Sequence, residues 1–172
     1  MAIYTNIVFR QPKKFKFHTP DEFAALLENA GVSMRPIIAI GGLAGLSTAE
    51  LLRLDWADVW QVPGHIEVTA PKSKTRQRRL VEIRPALAAW LEPYRANKTG
   101  KLWNLDEITF QQKFVALCEA AKVKRKTNGL RNAFCTYHFA LQANLATKDE
   151  AQKWFNIQPT DASSKRDSTA KS

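Results

Sequence analysis

Apolar residues recur at helical spacing along most of the chain, and each such stretch is bounded by start and stop signals. Thr19-Pro20-Asp21-Glu22 combines an N-cap threonine, a first-turn proline and a glutamate three residues on, so a helix is predicted there with Phe23, Leu26, Leu27 and Ala30 on one face and Gly31 as its stop. Met34 to Leu43 is apolar apart from Arg35 and predicts a central helix buried on most sides. A turn at Ala44-Gly45 comes next, then a short amphipathic helix in which Ser47 and Glu50 stand at capping-box spacing and Leu51, Leu54 and Trp56 are the apolar anchors.

Beyond Trp56 the period changes to two. Asp58-Val59-Trp60, then His65 to Thr69 after a Pro63-Gly64 turn, then Leu80 to Ile83 after a basic loop, predict a small antiparallel three-stranded sheet. Helical spacing returns from Pro85 (Leu87, Trp90, Leu91), over about Asp106 to Lys122 (Phe110, Phe114, Leu117, Cys118, Ala121), and from Gly129 (Leu130, Phe134, Tyr137, Leu141). Thr147 to Glu150 repeats the capping-box spacing and opens a last helix with Ala151, Trp154 and Phe155. Residues 1–18 interleave Lys13, Lys14 and Lys16 with Phe9, Phe15 and Phe17, which fits either a basic arm or a buried edge strand; from Pro159 onward Ser, Thr, Asp and Lys predict a disordered tail. The expected division is thus an arm over 1–18, a domain over 19–158 and a tail over 159–172.

Length changes this picture little, because 172 residues with 45% hydrophobic composition suffice for one domain core. No apolar run approaches the roughly 20 residues of a membrane helix, and the first residues lack a signal-peptide pattern. Cys118 and Cys135 lie in helical segments without metal-ligand spacing, so reduced thiols, a cytoplasmic location, no metal and no cofactor are expected. Charge changes the picture more. Twenty-six Lys and Arg against sixteen Asp and Glu give a net +10, which favours a polyanionic partner over a merely soluble surface.

The cations also cluster. Lys72, Lys74, Arg76, Arg78 and Arg79 crowd the loop before the last strand, while Lys124, Arg125 and Lys126 precede Asn128-Gly129-Leu130-Arg131. Contact with nucleic-acid phosphates is the expected use of both groups. Read together, the Ser47 stretch, the Lys74 loop and Leu130-Arg131-Asn132-Ala133-Phe134-Cys135-Thr136-Tyr137, which matches the pattern L-R-H-x-F-x-T closely, resemble the catalytic domain of the tyrosine recombinases, the phage integrase family.

The resemblance implies a mainly helical α+β catalytic-domain-like fold and a site that cuts a DNA phosphodiester through a covalent tyrosine–phosphate bond. Two arginines there stabilise charge on the phosphate oxygens, a hairpin lysine protonates the leaving oxygen, and a histidine stands three residues before the second arginine. Matched position by position, Lys74 is the hairpin lysine, with Lys72 the runner-up, and Arg131 is the second arginine. Glu50 keeps an acidic position, whereas Ser47 replaces the first arginine and Asn128 replaces the histidine. Each has a plainer reading beside it: Ser47 as an N-cap, Glu50 as its capping partner, Arg131 as an ion-pair partner and the loop cations as a solvated turn.

No Gly-His pair and no tyrosine occur after Tyr137, which itself falls on the apolar stripe of its helix. Trp154 stands at about the spacing where some recombinases carry tryptophan for the later histidine. Alternatively, Leu145 to Ile157 resembles the segment on the C-terminal side of the tyrosine in some integrases, which would mean that the nucleophile segment has been lost. The expectation is a DNA-binding relative inactive in strand cleavage, without the family's separate N-terminal DNA-binding domain. Two rivals are an active enzyme using Tyr137 or a partner's tyrosine, and an interaction module that joins other recombinase subunits through its last helix.

Overall fold

The computed structural model of the chain describes residues 16–160. The anticipated arm up to residue 15 and the tail from 161 lie outside the described residues. Eight helices are present among these: α1 (Pro20–Asn29), α2 (Arg35–Ala44), α3 (Thr48–Leu51), α4 (Trp56–Trp60), α5 (Pro85–Leu91, continued by a 3-10 turn at Glu92–Tyr94), α6 (Glu107–Ala120), α7 (Gly129–Gln142) and α8 (Lys148–Phe155). Strands β1 (His65–Val68) and β2 (Arg79–Glu82) pair antiparallel between α4 and α5, with His65 opposite Glu82 and Val68 opposite Arg79.

Every residue of α2 is buried, and α1, α5 and α7 pack around it. Its one charged residue, Arg35, is used on the neighbouring helix end: Nε donates to the Leu27 carbonyl (3.1 Å) and Nη2 to the Ala30 carbonyl (2.6 Å). Those carbonyls belong to the last turn of α1, which has no intrahelical donors left for them. At the other end of α2, Gly45 turns the chain with φ +70°, and a Cβ there would stand 2.2 Å from Cδ1 of Phe134. The turn thus needs glycine for its backbone angle and for the approach of α7.

The last helix closes the core from outside α1. Trp154 stacks on Phe23 with ring centroids 4.1 Å apart, and its indole N–H donates to the Gly42 carbonyl at 2.8 Å. A Cβ on Gly42 would collide with the Phe23 ring at 2.3 Å, so the aromatic pair fits only because α2 is bare at that position. Tyr137 of α7 joins the same cluster, 5.1 Å from Trp154 and 5.7 Å from Phe17.

Two local expectations need correction. The segment Asp58-Val59-Trp60 is part of helix α4 rather than a strand, leaving a two-stranded sheet. Its start is fixed by Asp58, whose Oδ2 accepts from the Asp55 backbone N–H at 2.7 Å, an Asp-x-x-Asp version of the capping box. Thr147 makes no side-chain cap at α8, and its backbone (φ −83°, ψ 11°) is not the extended form that a capping threonine takes. The boxes at Thr19–Glu22 and Ser47–Glu50 do form, each with both reciprocal bonds.

Candidate phosphate-binding cleft

The two-residue period that makes β1 and β2 sends Ile66 and Val68 into the core and sends the connecting loop, residues 69–78, out over the start of α3. Glu50, on that first turn and 1% exposed, receives the loop. Its Oε2 accepts from the backbone N–H of Ser47 (2.9 Å) and from the Ser47 hydroxyl (3.0 Å). Its Oε1 accepts from the backbone N–H of Lys74 (3.2 Å) and from Nη1 of Arg79 (2.8 Å). Nη1 of Arg131, on the first turn of α7, lies 3.6 Å from Oε2. One buried carboxylate thus connects the turn after α2, the hairpin loop and α7.

Burial alone would raise the pKa of Glu50. The Arg79 guanidinium, the Ser47 and Lys74 backbone amides and the Ser47 hydroxyl outweigh it and hold the carboxyl at about 2. The group is therefore a fixed negative charge that orients cations without cancelling all of them. Lys74 is exposed, and Arg131 keeps 40% of its side chain in solvent.

The loop is anchored a second time by Lys72, whose Nζ lies 2.5 Å from Asp55 Oδ2 and 2.6 Å from Asp58 Oδ2. The Lys72 ammonium is thus paired with two carboxylates at the N-terminus of α4. Burial lowers its pKa and the two aspartates more than reverse this, so the ammonium stays charged. Arg78 is likewise paired, with Nε 2.5 Å from Glu67 Oε1 across the sheet, though 60% of its side chain remains exposed.

Between loop and helices opens a cleft of about 950 Å³, lined by Ser47, Ala49, Lys74, Arg76 and Asn128 among others. Arg53 and Gln111 also line it, and sequence reasoning had passed over both. Arg53 stands three residues beyond Glu50 and was legible as one more cation near the motif; Gln111 carried no signal. Of the second basic cluster, Lys124 is exposed, Arg125 donates to Gln111 Oε1 at 2.9 Å, and Lys126 lies 2.5 Å from Glu22 Oε2. Asn128, with φ +53°, is the left-handed residue from which α7 starts.

Tyr137 is outside this arrangement. It is wholly buried, its hydroxyl reaches the His18 carbonyl at 3.4 Å, and burial, reinforced by the Glu150 and Glu22 carboxylates, pushes its pKa up to about 12. The hydroxyl therefore faces the interior and not the cleft, and burial disfavours its ionisation. Among the described residues no group of three or more His, Cys, Asp or Glu is placed to hold a metal ion, and no helix is long and apolar enough to cross a membrane.

No protein-family model matches the sequence, and no curated protein matches it. Among solved structures, the crystal structure of XerA recombinase is similar, with a TM-score of 0.58 at 20% identity over 93% of this chain. The match takes in 65% of the XerA recombinase chain, so the present chain spans about two thirds of that length. The likeness is one of fold: a mainly helical α+β domain similar to that of a tyrosine recombinase.

Proposed function

We propose that this chain grips DNA through its sugar–phosphate backbone and does not itself cut the strand. The observation that carries the reading is the buried Glu50 carboxylate, which gathers the Lys74 backbone, Arg79 and Arg131 about one point beside a cleft that Lys74, Arg76 and Arg53 line. Planar guanidinium groups beside a lysine match the geometry of phosphate oxygens, and the likeness to XerA recombinase supports DNA as the polyanion. The net charge of +10 supports it as well.

The chemistry of cleavage is poorly served by the same residues. Ser47 stands where the recombinase pattern has an arginine, and its hydroxyl is engaged with Glu50. Loss of one transition-state charge stabiliser typically costs about 100 to 1,000-fold, some 3–4 kcal/mol. Tyr137 is sealed in the core, which argues against it as the nucleophile of a covalent route.

The test is a labelled duplex titrated with the chain at several salt concentrations. With Lys74, Arg76, Arg79 and Arg131 as backbone contacts, the affinity should fall with a log–log slope of about −4. No covalent protein–DNA adduct should accumulate on a nicked substrate. Absence of binding at low salt would overturn the grip; an adduct formed by the chain alone would overturn the inactivity.

A further inference from the structure

Beside the cleft lies a second, smaller recess that shares Arg131 with the proposed phosphate grip and is otherwise unused by it. It measures about 100 Å³ and is sunk between α2, α3, α6 and α7. Its apolar lining includes Ile38, Leu51, Leu130 and the stacked pair Phe110–Phe114 (centroids 6.1 Å apart, planes within 10°). Its polar lining includes Arg125 and Arg131, and Thr48, Gln111 and Asn128 line both the recess and the cleft.

A planar ring suits the aromatic and aliphatic part of this lining, and a phosphate suits its arginines. The volume suits one six-membered ring with its polar edge in the opening, since an apolar cavity of roughly 150 Å³ encloses a whole benzene. A fused purine fills it less well than a single six-membered ring. The carboxamides of Asn128 and Gln111 line the recess and can supply hydrogen-bond donors and acceptors, although Gln111 Oε1 already accepts from Arg125.

We infer that the recess is a subsite for the base of an unpaired pyrimidine nucleotide, whose phosphate rests on Arg131 at the edge of the cleft. The inference rests on the backbone grip proposed above and adds to it a preference for DNA in which a pyrimidine has left the stack. Extrusion costs least where the base is already unpaired, so a bulge or single strand is the expected substrate form.

The test compares, with the full chain, a matched duplex and the same duplex carrying one unpaired thymine or one unpaired adenine. The thymine bulge should bind about tenfold tighter than the matched duplex, the size of one base–aromatic stacking interaction, and the adenine bulge should gain little. Phe114→Trp, which fills the recess, and Phe114→Leu, which strips the stacking wall, should both erase the thymine preference while the matched duplex binds as before. A 5-bromouracil at the bulge should photocross-link to the α6 peptide. A rise in melting temperature with thymidine monophosphate alone supports the same recognition with a free nucleotide as its source. Equal affinity for bulged and matched duplexes, or cross-links only elsewhere, overturns the inference and leaves the grip standing. A matched duplex that fails to bind at low salt overturns both.

Discussion

The Glu50 carboxylate meets the Arg79 guanidinium, two backbone amides and a hydroxyl in a place that water does not reach. Its stabilising effect is therefore tied to its charge. Because its folded pKa of about 2 lies below the ordinary 4.5, the contribution is complete above pH 4.5 and disappears as the pH falls from there toward 2. The difference corresponds to about 3 kcal/mol. Glu50→Gln should therefore be less stable than the wild type by about that much at pH 7, with the gap closing in acid. Urea midpoints measured between pH 7 and 2.5 check this; a constant gap would detach the stability from the charge. The same substitution frees Arg79 and Arg131 from their orienting anion, so duplex affinity should change even though Glu50 touches no phosphate.

At the scale of elements, the hairpin loop is held from below by Lys72 and presents Lys74 above. Lys72→Ala should loosen the loop and weaken duplex binding without altering the salt slope, whereas Lys74→Ala should reduce the slope by about 1. Anisotropy titrations at several salt concentrations separate the two. Gly45→Ala carries both a left-handed backbone penalty of about 1–2 kcal/mol and a collision with Phe134, and should cost at least about 2 kcal/mol in chemical denaturation. Most elements were legible because their signals are local: the boxes at Thr19 and Ser47, the apolar run of α2 and the stripes of α6 and α7 all sit within a few residues. Helix α4 was missed because Val59 and Trp60 beside Asp58 imitate a two-residue period, and because the capping partner of Asp55 is an aspartate where Glu is the usual residue. Lys74, Glu50 and Arg131 were legible as candidates through a pattern of residue types. The fate of Lys72 was not, since its partners lie 17 and 14 residues upstream and only the fold brings them together.

Over the whole molecule, the long-range couplings run between the two ends of the domain: Phe23 with Trp154, Glu22 with Lys126, and Tyr137 with Phe17 and His18. Trp154→Ala removes the ring that covers α1 and strands the Gly42 carbonyl, so it should cost about 3–5 kcal/mol. Trp154→Phe keeps a stacking ring and loses the donor, at about 1–3 kcal/mol. Equilibrium unfolding monitored by circular dichroism ranks the two, and equal losses would assign the whole effect to the hydrogen bond. The stacking of Phe23 against Trp154 also bears on how the protein is made. During translation the first helix is complete long before its lid is synthesised, and at about 5–20 residues per second the ribosome needs roughly 7–26 s to travel from one aromatic to the other. For that interval a nascent chain displays a greasy, half-finished core, so its yield in a cell should depend on chaperones that shelter emerging polypeptides.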